Sequence, residues 1–330
     1  GSKTPLNIEK FPIVGFQKTH ALNFLVTDSA AGATAMACGT KTYIGAIGMN
    51  GDTIPCKSIL EIAEENKLAT GVVVTSTMVH ATPASFMAHQ PLRGLYEPIA
   101  ADIVESGVDF IVGGGKKYFD RRAMDDRNLY KELQQKGYQV NDYFRKNLER
   151  LTVDPSKNFA YFTADSDPLA YWQGRKYLPY ASKLAVNFLE KKNENGFFLL
   201  VEGSYIDWAG HENDFNYLLS EIKDFDRAIG EVLSFASRNR ETLVIVTADH
   251  ETGGLAINPG SRFGKLKPAY TEKKGRAHTA TMVPVFAYGP GAEQFSGIFD
   301  NTQMFYKLLR SYGFQVPSPF NVYPASGNIK

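Results

Sequence analysis

Short, nearly continuous apolar runs alternate along the chain with longer stretches of mixed apolar and polar residues. The short runs are Ala69 to Thr75, Asp109 to Val112, Phe197 to Glu202, Thr242 to Thr247 and Val283 to Tyr288. They are rich in β-branched and aromatic residues, the pattern of strands covered on both faces. The mixed stretches predict helices over Ser29 to Cys38, Ser58 to Asn66, Tyr96 to Ser106, Asn128 to Lys136, Leu178 to Lys191, Asn213 to Ser237 and Thr302 to Tyr312. Strands alternating with helices predict an α/β fold with a mainly parallel central sheet and helices on both faces. No repeat or Pro/Gly/Ser linker divides the chain, so residues 1–330 are expected to form a single domain. The more polar segment 116–177 and the Gly-, Pro- and Lys-rich segment 258–274 are expected to decorate its surface.

Composition narrows the function classes. Lys plus Arg number 36 and Asp plus Glu 35, a net charge of +1. That balance gives no electrostatic basis for binding nucleic acid or an anionic membrane. No apolar run approaches the roughly 18 residues of a spanning helix. The chain opens at Gly1-Ser2 without a leader, as a mature or recombinant chain would. Two cysteines, Cys38 and Cys56, are too few for a disulfide framework; one bridge and two separate thiols both fit.

The candidate chemistry follows the strands, where open α/β sheets place their sites. Phe197 to Glu202 leads into Gly203-Ser204-Tyr205-Ile206-Asp207-Trp208-Ala209-Gly210-His211. Asp207 and His211 are four apart, so one helical face carries both, a common zinc half-site. Thr242 to Thr247 leads into Ala248-Asp249-His250-Glu251, and His278 precedes Val283 to Tyr288. Singly, each Asp also fits a helix cap and each His a surface residue. Convergence favours a metal centre, because three of the six histidines lie at the expected sheet edge, two with an Asp partner. His20 is expected to be an ordinary surface histidine.

Thr27-Asp28-Ser29-Ala30-Ala31-Gly32-Ala33-Thr34 is built of small residues that allow close backbone packing. Ser29 begins the predicted helix, where free N–H groups and the helix dipole favour an alkoxide and a phosphate. A simple N-cap fits the same residues. No Ser-His-Asp order is evident, so a metal is the economical activator. In a third segment, His80-Ala81-Thr82-Pro83-Ala84 followed by His89-Gln90-Pro91-Leu92-Arg93, Arg93 has the planar fork to clamp two phosphate oxygens. Thr82 and Glu202 supply hard oxygen ligands.

Taken together, these segments resemble the alkaline phosphatase family, in order from about Leu6 to Ala292. The resemblance rests on Thr27 to Thr34, Ala81-Thr82-Pro83-Ala84 with Arg93, Val201-Glu202-Gly203 with Asp207 and His211, Thr247 to Glu251, and His278-Thr279. It implies a phosphate monoesterase acting through a phosphoserine on Ser29, with Arg93 holding the phosphate. It implies two zinc ions and one magnesium ion. Asp207, His211 and His278 would bind the first zinc, Asp249 and His250 the second, and Thr82 and Glu202 the magnesium. Asp28, His80 and Trp208 would stand behind these ligands. His80 with Trp208 is similar to cold-adapted bacterial members, and a His there would ligate or reorient ligands at the magnesium site. The resemblance also implies a homodimer with small-molecule phosphate monoesters as substrates, in the periplasm or secreted.

One departure accompanies the resemblance. The family begins with a strand ending in Asp-Gly-Met-Gly, whose Asp bridges the second zinc and the magnesium, and that motif is not in this sequence. The first zinc site is therefore expected to fill best, the other two poorly, and activity to be impaired. The alternatives are a phosphodiesterase or phosphomutase of the same superfamily, or a non-catalytic metal- or phosphate-binding fragment.

Overall fold

The computed structural model describes residues 5–275 and 277–315, so Gly1-Ser2 lies outside the described residues. The strands are β1 (Ile13–Lys18), β2 (Ala69–Thr77), β3 (Phe110–Gly114), β4 (Gln139–Asp142), β5 (Phe159–Phe162), β6 (Phe197–Glu202), β7 (Val244–Val246), β8 (Glu251–Thr252), β9 (Leu255–Ile257), β10 (Pro268–Tyr270), β11 (His278–Thr279), β12 (Val283–Tyr288) and β13 (Gly297–Asp300). The helices are α1 (Ser29–Cys38), α2 (Ile59–Glu65), α3 (Ala81–Met87), α4 (Tyr96–Glu105), α5 (Lys117–Asp120), α6 (Leu129–Gln135), α7 (Tyr177–Lys192), α8 (Tyr205–His211), α9 (Phe215–Asn239) and α10 (Thr302–Ser311).

Five strands pair in the order β4-β5-β3-β2-β6, every pair parallel. Alternate residues of these strands enter opposite cores, as a period of two requires. Val72, Val74, Ile111 and Phe162 pack with Leu60, Ile99 and Leu129 of α2, α4 and α6. Val73, Phe110, Val112 and Phe159 pack with Leu178, Ala181 and Leu189 of α7. β2 is buried along its whole length, as its unbroken apolar sequence predicts.

The expected mainly parallel sheet accounts for only part of the strands. A second sheet runs β13-β1-β12-β7, and its β1–β12 and β12–β7 pairs are antiparallel. No ladder joins the two sheets among the described residues. The outer edges of β6 and β7 face a groove of about 580 Å³ lined by Phe197, Leu199, Val201, Val244, Val246 and Phe225. β6 is accordingly only partly buried, unlike β2.

Segment 116–177 also departs from the expected surface role. It supplies β4 and β5 to the parallel sheet, and Phe159–Phe162 is buried throughout. Its polar flanks masked two strands of four residues each. Segment 258–274 contains β10, which pairs antiparallel with β9. Cys38 and Cys56 are free thiols. The His20 ring is partly exposed and lies 3.1 Å from the Asp300 carboxylate. No helix among the described residues is long and apolar enough to cross a membrane.

Candidate metal centre and nucleophile

α1 begins at Ser29, as its sequence predicts. The Asp28 carboxylate caps it by accepting from the Ala31 N–H at 3.0 Å, and Gly39 closes it in the left-handed conformation at φ 71°. Every residue of α1 is buried, which its Ala, Gly, Ser and Thr content permits. Gly32 brings the helix against the loop that follows β7. A Cβ there would stand 3.0 Å from the Asp249 carbonyl oxygen and 3.3 Å from Asp249 Cβ. The close approach sets the Ser29 hydroxyl 3.0 Å from His250 Nε2. Ser29 itself is only 5% exposed.

Asp207 and His211 share one face of α8, with His211 Nε2 3.4 Å from Asp207 Oδ1. The short ladder between β8 and β11 presents His278, whose Nε2 is 3.6 Å from Asp207 Oδ1 and 3.2 Å from His211 Nε2. Ligand atoms of Asp207, His211 and His278 all fall within 4.8 Å of one another. The His278 Nδ1–H donates to the Thr27 carbonyl at 2.7 Å, leaving its Nε2 lone pair toward the cluster. A carbonyl-bound second nitrogen is the usual arrangement of a metal-binding histidine. The His250 and His278 rings stack at 3.5 Å and 14°, joining the cluster to Ser29.

Burial and crowded carboxylates dominate the electrostatics. Burial, then the neighbouring Asp207 charge, pushes Asp249 up to about 7. Burial likewise lifts Glu202 to about 7, against opposing hydroxyls of Ser204 and Thr82. Burial alone would raise Asp207 too; its contact with His211, the His250 charge and Thr252 outweigh it and hold this carboxyl far below the usual range. Burial, then the Arg93 charge, drives His80 down to about 4. Asp249 Oδ2, His211 Nδ1 and His80 Nδ1 are buried without a hydrogen-bond partner. Asp249 Oδ2 does lie 3.3 Å from His250 Nε2, without hydrogen-bond geometry. Two imidazole nitrogens 3.2 Å apart, buried carboxylates and buried polar atoms without hydrogen-bond partners fit cations rather than a dry polar core.

The phosphate end is built by Arg93. Its Nη1 donates to Asp28 Oδ2 at 2.9 Å and its Nη2 lies 3.4 Å from His80 Nε2. His80 in turn meets Trp208 edge to face at 5.6 Å. Thr82 lies in the first turn of α3 and Glu202 closes β6.

Every predicted site residue falls in this one region, through direct contacts or through shared neighbours. Sequence reasoning passed over Thr252, whose hydroxyl donates to Asp207 Oδ1 at 2.5 Å and lies 3.2 Å from His250 Nδ1. Its spacing of two from His250, which puts both on one face of an extended segment, was the available signal. Ser204, which donates to Glu202 Oε2 at 2.5 Å, was also passed over.

Comparison with known proteins places this geometry. A family model described as "Alkaline phosphatase" matches residues 1–277. Alkaline phosphatase 3 of Bacillus subtilis (strain 168) is 33% identical, over 88% of this chain and 78% of that one. The alkaline phosphatase structure from the Antarctic bacterium TAB5 superposes with a TM-score of 0.88 at 41% identity, covering 96% of this chain and 93% of that one. A variant of that enzyme, described with Mg bound in its M3 site, superposes with a TM-score of 0.87, again at 41% identity and covering 96% and 92%.

Proposed function

The chain belongs to the alkaline phosphatase family, and from that premise we propose how its own residues divide the hydrolysis of a phosphate monoester. Asp207, His211 and His278 would hold one zinc, Asp249 and His250 a second, and Thr82 and Glu202, with His80 nearby, a magnesium. Such cations, when bound, stabilise both the attacking and the leaving oxygen of an in-line displacement.

Ser29 is the nucleophile and carries the phosphoserine. The observation that supports this most directly is its buried hydroxyl, at the first turn of α1 and 3.0 Å from His250 Nε2. The unpaired N–H groups of that turn favour negative charge on the attacking oxygen and the incoming phosphate. Arg93 presents its guanidinium to the phosphate while Asp28 fixes its orientation through Nη1. His250, steadied by Thr252 and by stacking on His278, would hold its cation beside the Ser29 hydroxyl. We further propose a homodimer in a periplasmic or secreted setting, the dimer being open to light scattering.

The test is Ser29→Ala. Turnover of a phosphate monoester is expected to fall by orders of magnitude while zinc binding is retained, and no phosphorylated protein should be trapped. Near wild-type turnover in that variant would sink the assignment.

A further inference from the structure

Beside the metal cluster lies a hollow of about 420 Å³ whose walls include Trp172, Gln173, Trp208, His211, Glu212 and Tyr217. It adjoins the reaction centre on two flanks. His211 belongs to both the hollow and the cluster. Trp208 backs onto His80, which reaches Arg93. The aromatic rings form a continuous run: Trp172 meets Tyr217 at 6.4 Å, Tyr217 meets Tyr205 at 6.3 Å, and Tyr205 meets Trp208 at 4.2 Å.

The outermost ring is the anomaly. Trp172 is 64% exposed, so its position gains little from the hydrophobic effect. Yet the turn that bears it is rigidly mounted. Arg175, almost wholly buried, pairs with Glu221 and donates to Asp224 at 2.7 Å on α9. The Tyr171 N–H donates to Glu221 at 2.6 Å, and the Arg227 guanidinium lies 4.7 Å over the Tyr171 ring. Buried charges are costly unless paired, and here they fix a turn whose tip is an indole in water. A rigid, exposed aromatic face next to a reaction centre is a stacking platform.

We propose that this hollow is the leaving-group subsite and that it takes a planar aromatic group, as carried by an aryl phosphate or a nucleoside monophosphate. The proposal rests on the phosphomonoesterase reading of Ser29. With the phosphate at Ser29 and Arg93, the ester oxygen faces the His211 side, and its substituent enters between Trp208 and Trp172. The ring stacks on indole, and Gln173 and Glu212 meet its polar edge. An aliphatic alcohol such as glycerol reaches the same phosphate site and leaves the platform unused.

The experiment compares kcat/KM for phenyl phosphate, adenosine monophosphate and glycerol 2-phosphate in the wild type, Trp172→Ala and Trp172→Phe. In Trp172→Ala the ratio of each aromatic ester to glycerol 2-phosphate should fall roughly tenfold, the scale of one stacking interaction. Trp172→Phe should restore most of it. A fall for both aromatic esters assigns the platform to the ring itself, and a fall for the nucleotide alone assigns it to the nucleobase. An unchanged ratio, or an equal loss on all three substrates, would overturn the subsite. Failure of the underlying reading would show separately, as glycerol 2-phosphate turnover that survives Ser29→Ala.

Discussion

Replacing Gly32 with alanine tests whether the approach of α1 to the β7 loop sets the catalytic geometry. In an exposed helix the change stabilises by about 1 kcal/mol through propensity. Here the new methyl would meet the Asp249 carbonyl oxygen at 3.0 Å, Asp249 Cβ at 3.3 Å and Thr27 Cγ2 at 3.3 Å. These atoms are backbone or side-chain stubs and cannot swing aside, so the loop must retreat by a few tenths of an ångström. Overpacking of this kind costs about 1–3 kcal/mol. The two effects nearly offset, and the net loss should be about 0–2 kcal/mol, a fall in Tm of a few degrees at most. Activity has no such offset. The retreating loop carries His250, 3.0 Å from the Ser29 hydroxyl, the proposed nucleophile. Since a misplacement of about 1 Å can cost a hundredfold, a few tenths should lower kcat/KM roughly tenfold. Steady-state kinetics and a thermal melt on the same preparation check both halves. Wild-type turnover with a raised Tm would refute the reasoning, for it would mean that propensity acts unopposed and the contact is slack.

Two further outcomes follow from the geometry. Arg93→Ala should weaken inhibition by inorganic phosphate by roughly ten- to a hundredfold, since a charge-assisted contact is worth about 1.5–3 kcal/mol; an unchanged inhibition constant would remove Arg93 from the phosphate site. His89 offers Nδ1 to the Gly48 carbonyl at 2.7 Å and Nε2 to Glu61 at 2.9 Å, a pairing only the imidazolium satisfies at both ends, and the Glu61 hydrogen bond lifts it to about 9. A folded-state value above the unfolded one means stabilisation that is full below about pH 6.5 and fades as pH rises through about 9. His89→Gln should therefore destabilise by about 1–2 kcal/mol near pH 6, allowing for partial exposure, and converge on the wild type near pH 10 in urea melts; a gap that persists at pH 10 would count against the charged pair.

The sequence was most legible where one interaction dominates. β6 and β12 coincide with the apolar runs Phe197 to Glu202 and Val283 to Tyr288, whose aromatic and branched side chains suit a pleated, half-buried surface. β1 was missed because Gly15 and Gln17 break its apolar pattern. Gly15 is required there, since a Cβ would lie 2.1 Å from the Phe295 carbonyl oxygen. Gln17 is buried but bonds Thr247 Oγ1 and the Ala248 carbonyl, which no periodicity reveals. The metal-ligand candidates were visible because Asp and His are specific in their ligand chemistry and several follow the strands together. The Thr27 carbonyl that orients His278 was not, because every residue has a carbonyl. The fate of Cys38 and Cys56 was open in the sequence; the buried Cys38 thiol donates to the Cys56 carbonyl at 3.1 Å instead of bonding its sulfur.

The separation of the two sheets gives the metal cluster a second consequence. Asp207 and His211 extend from β6, in the parallel sheet, whereas His278 comes from the strand leading into β12, in the other. A cation held by all three would span the joint between the two sheets, which no ladder among the described residues crosses. By mass action, a ligand that binds only the folded form stabilises it by about 4 kcal/mol at a thousandfold excess over its Kd. The cohesion of the two halves would then be partly a property of the medium: were zinc that cation, removing it would loosen the joint along with the proposed chemistry, and the same three side chains would report on both.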